Sequence, residues 1–331
     1  MPDIAVAPPS ALAAPHGRPP CAASVERAFA RDIHLGGRFA GMRREDATAR
    51  QRDESCRDSP GPSEDRLRRP LSRRKRRAKD FSLRRRHDTL LSELRLAEQV
   101  QRSMLPRFLP KLPQVEFGAA LRPSRHLAGD FYNIIRLDGH RVGVCLGDVM
   151  GHGPAAALLA VFAMQGIRTK TIEGSSYEIV PPAEVVANLS RDLIRADFPE
   201  NPFITMIYGV LDTTRAVLSY CCGGHPPAIL LREGQPLRRL EGRGSLLGIF
   251  NVPFEQAEVA LSPGDRIALY SDGVESILWG AHGAGVDGLA GLLSLRDGRS
   301  PQELVDDALA VAEPGDGPSD DLTIVLFEMK A

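Results

Sequence analysis

Sulfur and large aromatics are scarce here: five cysteines and one tryptophan in 331 residues, with aromatic side chains at 5 %. The cysteines (Cys21, Cys56, Cys145, Cys221 and Cys222) are odd in number and fall in no framework spacing. That excludes a disulfide scaffold and suits a reducing cytosol. No CxxC or Cys/His pattern offers a zinc site. Long apolar runs are also missing. The longest, Ala155 to Met164, is about half of the roughly 20 residues a membrane helix needs. The N-terminus lacks a basic stretch followed by an apolar core, so no signal peptide is expected. These absences point to a cytoplasmic protein, and 43 % apolar residues are enough to build a core without staples. Net charge is zero as well. Taken over the whole chain, that argues against polyanionic partners.

The charges are unevenly placed, however. Between Arg66 and Arg86 twelve of twenty-one residues are Lys or Arg and only Asp80 is acidic, whereas Leu105–Ala331 carries 19 basic and 28 acidic residues. The neutral total is therefore a cationic arm cancelling an acidic domain. Residues 1–65, rich in Pro, Ala, Gly, Ser, Arg and Asp without helical or strand period, are expected to be disordered. Residues 66–86 read as a basic linker. From 84 to 105 a helix is expected: Leu83, Leu90, Ala97 and Met104 recur every seven residues, Leu94 is offset by four, and Pro106 blocks continuation. The stripe suits either a homodimer seam through Leu83–Met104 or docking on the domain that follows.

Residues 106–331 read as one α+β domain. Strand-like runs at Val115–Leu121, Phe131–Leu137, Val142–Leu146, Phe203–Leu211, Val217–Cys221, Ala228–Leu231, Ile267–Tyr270 and Leu322–Phe327 are bounded by Gly, Pro and Asp. Helical stretches are expected at Pro154–Thr171, Ala183–Ala196, Val286–Leu293 and Gln302–Ala312. Short turns between clustered strands predict largely antiparallel sheets.

Four aspartates share a local design. Asp130 opens a strand, Asp148 and Asp272 close strands, and Asp320 with Asp321 opens the last one. Carboxylates gathered at strand ends repel one another, and a hard divalent cation is the natural remedy. Each Asp-Gly alone reads equally well as a turn. Gly151-His152-Gly153 before a helix lacks the Lys-Ser/Thr of a P-loop and the third glycine of a dinucleotide fingerprint.

In order along the chain stand Ala128-Gly129-Asp130-Phe131-Tyr132, Gly147-Asp148-Val149-Met150-Gly151-His152-Gly153, Gly224-His225-Pro226-Pro227, Tyr270-Ser271-Asp272-Gly273-Val274 and Asp320-Asp321-Leu322-Thr323. This succession resembles the SpoIIE/RsbU-type serine phosphatases, the bacterial branch of the metal-dependent PPM phosphatases. The resemblance covers roughly residues 95–330. It implies a four-layer α-β-β-α sandwich of two antiparallel sheets flanked by helices. It also implies two Mn²⁺ or Mg²⁺ ions at one edge and hydrolysis of phosphoserine or phosphothreonine on a protein. Carried over by motif, Asp148 bridges both ions, the Val149 carbonyl ligates one, Asp272 and Asp320 hold the other, and Asp130 acts directly or through water. Asp321 is the second choice to Asp320. Two divalent ions offset the charge of a phosphoserine and activate a water for in-line attack. No covalent phosphoenzyme is required, and neither Cys145 nor Cys221 has the arginine of a Cys-x₅-Arg loop.

The chain departs from the pattern in places. Asn133 stands where a second acid is common, and Glu275 and Ser276 look exchanged. His152 lies four residues after Asp148 rather than two, which favours a loop-ordering or substrate-side role over acid catalysis. Arg122 and Arg125 read as solvated surface, and His225 as structural. The resemblance implies a phosphorylated STAS-domain partner, an anti-anti-sigma factor in a partner-switching pathway, and places the 84–105 helix where relatives carry a regulatory linker. A weakly catalytic scaffold that binds such a partner is the alternative. The Arg66–Arg86 block is open to nucleic acid, an anionic membrane or plain solvent. It lacks the interleaved aromatics of a single-strand binder.

Overall fold

The computed structural model describes residues 73–174, 176–275, 285–295, 297–312 and 318–330, with side chains from residue 81 onward. The expected disorder of residues 1–65 and the start of the basic linker fall outside the described residues. The first element, α1 (Arg73–Met104), begins well inside the basic block, farther upstream than position 84. Lys and Arg are good helix formers. The heptad stripe divides: Leu83, Leu90 and Met104 are exposed, whereas the last turns of α1 meet the domain, where Leu105 packs on two core clusters.

Twelve strands and four further helices follow among the described residues: β1 (Val115–Arg122), β2 (Phe131–Arg136), β3 (Arg141–Val149), α2 (Pro154–Gly166), β4 (Lys170–Glu173), β5 (Ser176–Ile179), α3 (Pro182–Ala196), β6 (Ile204–Asp212), β7 (Val217–Gly223), β8 (Ala228–Leu231), β9 (Arg238–Leu240), β10 (Gln256–Ala260), β11 (Arg266–Tyr270), α4 (Val286–Leu293), α5 (Pro301–Ala312) and β12 (Leu322–Met329). One sheet runs β1-β12-β11-β8-β9 and the other β10-β7-β6-β3-β2, with every pairing of named strands antiparallel.

Strand alternation sets the layers. Along β3, Val142, Val144 and Leu146 enter the core between the sheets, while Cys145 and Val149 enter the core under α2 and α3. Along β12, Val325, Phe327 and Met329 face the other sheet, and Leu322, Ile324 and Leu326 face α4 and α5. Three apolar layers thus separate four layers of structure, the α-β-β-α sandwich expected.

The expected helix at Pro154–Thr171 ends at Gly166. Beyond it Lys170–Glu173 and Ser176–Ile179 form an exposed hairpin on their own. Among the described residues no helix is long and apolar enough to cross a membrane.

Candidate metal and phosphate site

Register brings the acidic positions to one rim of the sandwich. In one sheet Phe131 pairs with Gly147, so Asp130, just before β2, lies beside Asp148 near the end of β3. In the other, Tyr270 pairs with Ile324, so Asp272, just after β11, lies beside the start of β12 and the Asp320-Asp321 turn. Across the sandwich β3 faces β11 and β2 faces β12.

Approach at this rim is close. A Cβ on Gly273 would meet the Asp321 carbonyl oxygen at 2.2 Å, so only glycine lets the two turns pack together. A Cβ on Gly129 would meet the Val149 carbonyl oxygen at 3.1 Å, which places that carbonyl against the Asp130 loop.

The carboxyl groups differ sharply in surroundings. Asp130 is 3 % exposed and its Oδ2 accepts a 2.6 Å hydrogen bond from the Thr323 hydroxyl. Thr323 is itself wholly buried and tied to Ser271, whose Oγ accepts from the Thr323 N–H at 3.0 Å while the Ser271 N–H donates to the Thr323 carbonyl at 3.0 Å. Burial, and then the charge of Asp148, push the Asp130 carboxyl well above the ordinary carboxylate range. Asp148 is half-buried. Burial first, then repulsion from Asp272, Asp320 and Asp321, raise it to about 7, against a hydrogen bond with Asp130 that pulls it down.

Asp320 and Asp321 do different work. Asp321 is 4 % exposed; its Oδ1 accepts from the Ser124 N–H at 2.7 Å and its Oδ2 from the Gly129 N–H at 2.6 Å. This carboxylate is spent on shaping the loop that leads to Asp130. Asp320 is exposed and its Oδ1 takes the Asp321 N–H at 2.8 Å. Sequence reasoning quoted Thr323 and Asp321 within a motif but did not see these roles. Thr323 on the inter-sheet side of an otherwise apolar strand was the available signal.

Other flagged residues spread around the rim. His152 is exposed on the Gly151–Gly153 loop, and Arg125 is exposed. Arg122 lines a cavity of about 270 Å³ beneath α1 that also touches Gln101, Arg102, His126, Asp130 and Tyr132. Asn133 pairs with Cys145 in the sheet. By strand alternation it shares the helix-facing side of β2 with Phe131, away from the inter-sheet rim. Glu275 is partly buried, and Ser276 lies outside the described residues.

The donor set is all oxygen and strongly self-repelling, which fits a hard divalent cation. It is not a closed cage: among the described residues no three His, Cys, Asp or Glu side chains are gathered tightly enough to chelate one ion. The donors fit such a cation by their chemistry and by their common rim.

Comparison with known proteins gives the family and the fold. Residues 138–330 match the family Stage II sporulation protein E (SpoIIE). Phosphoserine phosphatase RsbP of Bacillus subtilis is 29 % identical over 186 residues, spanning 55 % of this chain and 45 % of that protein. Phosphoserine phosphatase RsbU of the same organism is 29 % identical over 188 residues, spanning 55 % of this chain and 53 % of RsbU. The chain thus spans about half the length of these curated relatives. Among solved structures, the SiaA-PP2C domain of Pseudomonas aeruginosa superposes with a TM-score of 0.62 at 21 % identity, covering 74 % of this chain and 98 % of that one. That likeness concerns fold: the four-layer sandwich is the PP2C architecture. With the family match extending over more than half of its length, the chain belongs to the SpoIIE family.

Proposed function

We propose that this protein is a metal-dependent serine phosphatase acting on a phosphorylated protein in the cytoplasm. The observation that carries the reading is the convergence of Asp130, Asp148, Asp272 and Asp320 on one rim, where burial and then its acidic neighbours drive Asp148 to about 7. Asp148, the Val149 carbonyl, Asp272 and Asp320 would hold Mn²⁺ or Mg²⁺, two ions by analogy with the family pattern, and Asp130 would complete the set. Divalent ions bound there would offset phosphate charge and make water more acidic.

The chain's own residues supply the rest. Asp148, central to the repulsion, is the group whose charge an ion relieves most. Asp130, fixed by Thr323 beside Asp148, would act on an attacking water directly or through the bound ion. Asp321 holds the Ser124–Asp130 loop in register. The exposed Gly151–Gly153 loop borders the rim on the substrate side.

The preferred substrate is phosphoserine on a STAS-domain partner; the names of the phosphoserine phosphatases RsbP and RsbU support the phosphoserine. Docking of α1 against the Asp130 loop is the proposed route of regulation. The exposed Leu83, Leu90 and Met104 offer a homodimer seam. The test is phosphate release from a phosphorylated STAS-domain protein, measured with Mn²⁺ and with chelator. Release that requires Mn²⁺ supports the enzyme. Tight binding of the phosphoprotein without release in Mn²⁺ would instead support the scaffold reading, which the amide Asn133 motivates.

A further inference from the structure

His225 is the most deeply buried histidine among the described residues, 5 % exposed, and no step above uses it. It lies where the two halves of the acidic rim meet. Its Nδ1 is 2.9 Å from the hydroxyl of Thr205, and Thr205 is the β6 residue directly paired with Asp148. On its other side the ring is within hydrogen-bonding influence of the Tyr270 backbone, two residues before Asp272. The His225 carbonyl is held in turn by the Cys222 thiol at 3.0 Å. Nε2 is buried and makes no hydrogen bond among the described residues.

A buried imidazole nitrogen aimed at backbone is costly unless it carries a proton that the backbone can accept. A carbonyl only accepts, so Nε2 bears the hydrogen and Nδ1 receives the Thr205 hydroxyl proton. Burial keeps the ring neutral, pulling it down to about 3. One neutral ring thus bonds to the strand beside Asp148 and lies next to the strand that ends at Asp272.

We propose that His225 is a positioning residue: through Thr205 and the Tyr270 carbonyl it sets the separation of Asp148 from Asp272 and so the affinity of the rim for its cation. This rests on the metal-site reading above. The unbonded Nε2, beside the Tyr270 backbone, is the adjustable end of this arrangement.

The experiment measures Mn²⁺ binding to the full chain by calorimetry, with the thermal midpoint of the metal-free protein alongside. Thr205→Val removes the hydroxyl at nearly constant shape, Thr205→Ser restores it, and His225→Gln keeps an Nε2 donor toward Tyr270. Partners that orient ligands typically contribute about 10–100-fold in metal affinity. The expected result is a loss of about tenfold for Thr205→Val, recovery in Thr205→Ser, an intermediate loss in His225→Gln, and a thermal midpoint for Thr205→Val close to wild type. Unchanged Mn²⁺ affinity in both Thr205→Val and His225→Gln, with wild type binding normally, would overturn the positioning role alone. A wild-type chain that binds no Mn²⁺ would overturn the metal reading and this role with it.

Discussion

Gln101 clasps the backbone of Ala128 from both sides: its Nε2 donates to the Ala128 carbonyl at 2.7 Å and its Oε1 accepts from the Ala128 N–H at 3.0 Å. A side-chain amide thus acts as a strand partner for the peptide two residues before Asp130. Nearby, Glu98 stands 3.1 Å from Arg102 and 3.6 Å from His126, adding a polar rim to the same contact. Helix α1 and the loop carrying a proposed catalytic carboxyl therefore share one pair of hydrogen bonds.

Removing that clasp should uncouple helix from loop. Gln101→Leu fills similar space but forfeits two bonds of about 1 kcal/mol each. The predicted outcome is faster amide hydrogen exchange across residues 127–130 and a phosphatase rate several-fold lower, with the rest of the domain protected as in wild type. Exchange mass spectrometry checks it; unaltered protection of the loop would show that α1 does not organise it.

The adjacent aspartates should separate into two phenotypes. Asp321→Ala removes the acceptor of three backbone N–H groups, those of Ser124, Gly129 and, at 3.4 Å, Asp130, a loss of about 2–4 kcal/mol. A markedly lower denaturant midpoint is expected. Asp320→Asn should leave that midpoint nearly unchanged while weakening Mn²⁺ binding. Denaturation and Mn²⁺ titration of both variants decide it, and the reverse pattern would exchange the assigned roles.

Acidic crowding makes stability depend on pH. Asp148 in the folded chain titrates near 7, above its ordinary value of 3.8, because burial and then Asp272, Asp320 and Asp321 disfavour its charge. Between those values the folded state binds more protons than the unfolded one, so this contribution is complete below about pH 4 and declines as pH rises through about 7. The metal-free protein should consequently unfold at lower temperature at pH 8 than at pH 6. Saturating Mn²⁺ should raise the midpoint most at pH 8, where protons no longer compete. Melting curves at the two pH values, with and without Mn²⁺, measure this.

Gly273 should tolerate no side chain. Gly273→Ala places a Cβ 2.2 Å from the Asp321 carbonyl oxygen, and backbone must move to relieve it. The expected cost is about 1–3 kcal/mol, together with weaker Mn²⁺ binding as the Asp272 and Asp320 turns are forced apart. Calorimetry on the variant tests both.

Much of this was legible in the sequence where the signal is local. Val142–Leu146 and Leu322–Phe327 announced themselves as apolar runs, and the Asp-Gly turns marked the strand ends that form the rim. What escaped depends on distant partners or on edges. The β4–β5 hairpin is exposed along its length and has no buried face to pattern it. Strands β9 and β10 are edge strands, mostly exposed, with little apolar period. Asp321 looked like a spare copy of Asp320, because the N–H groups it caps lie 192 and 197 residues away in the chain. Gln101 was one polar residue on a helix face until Ala128, 27 residues on, gave it a partner.

The central claim is that the acidic rim works as a metal-dependent phosphatase centre, and one comparison tests it most directly: the initial rate of phosphate release from a phosphorylated STAS-domain protein in saturating Mn²⁺, for wild type and for Asp148→Asn and Asp272→Asn. The account predicts measurable Mn²⁺-dependent release by wild type and a fall of at least about a hundredfold in each variant. Wild-type release no faster than that of the variants would contradict it.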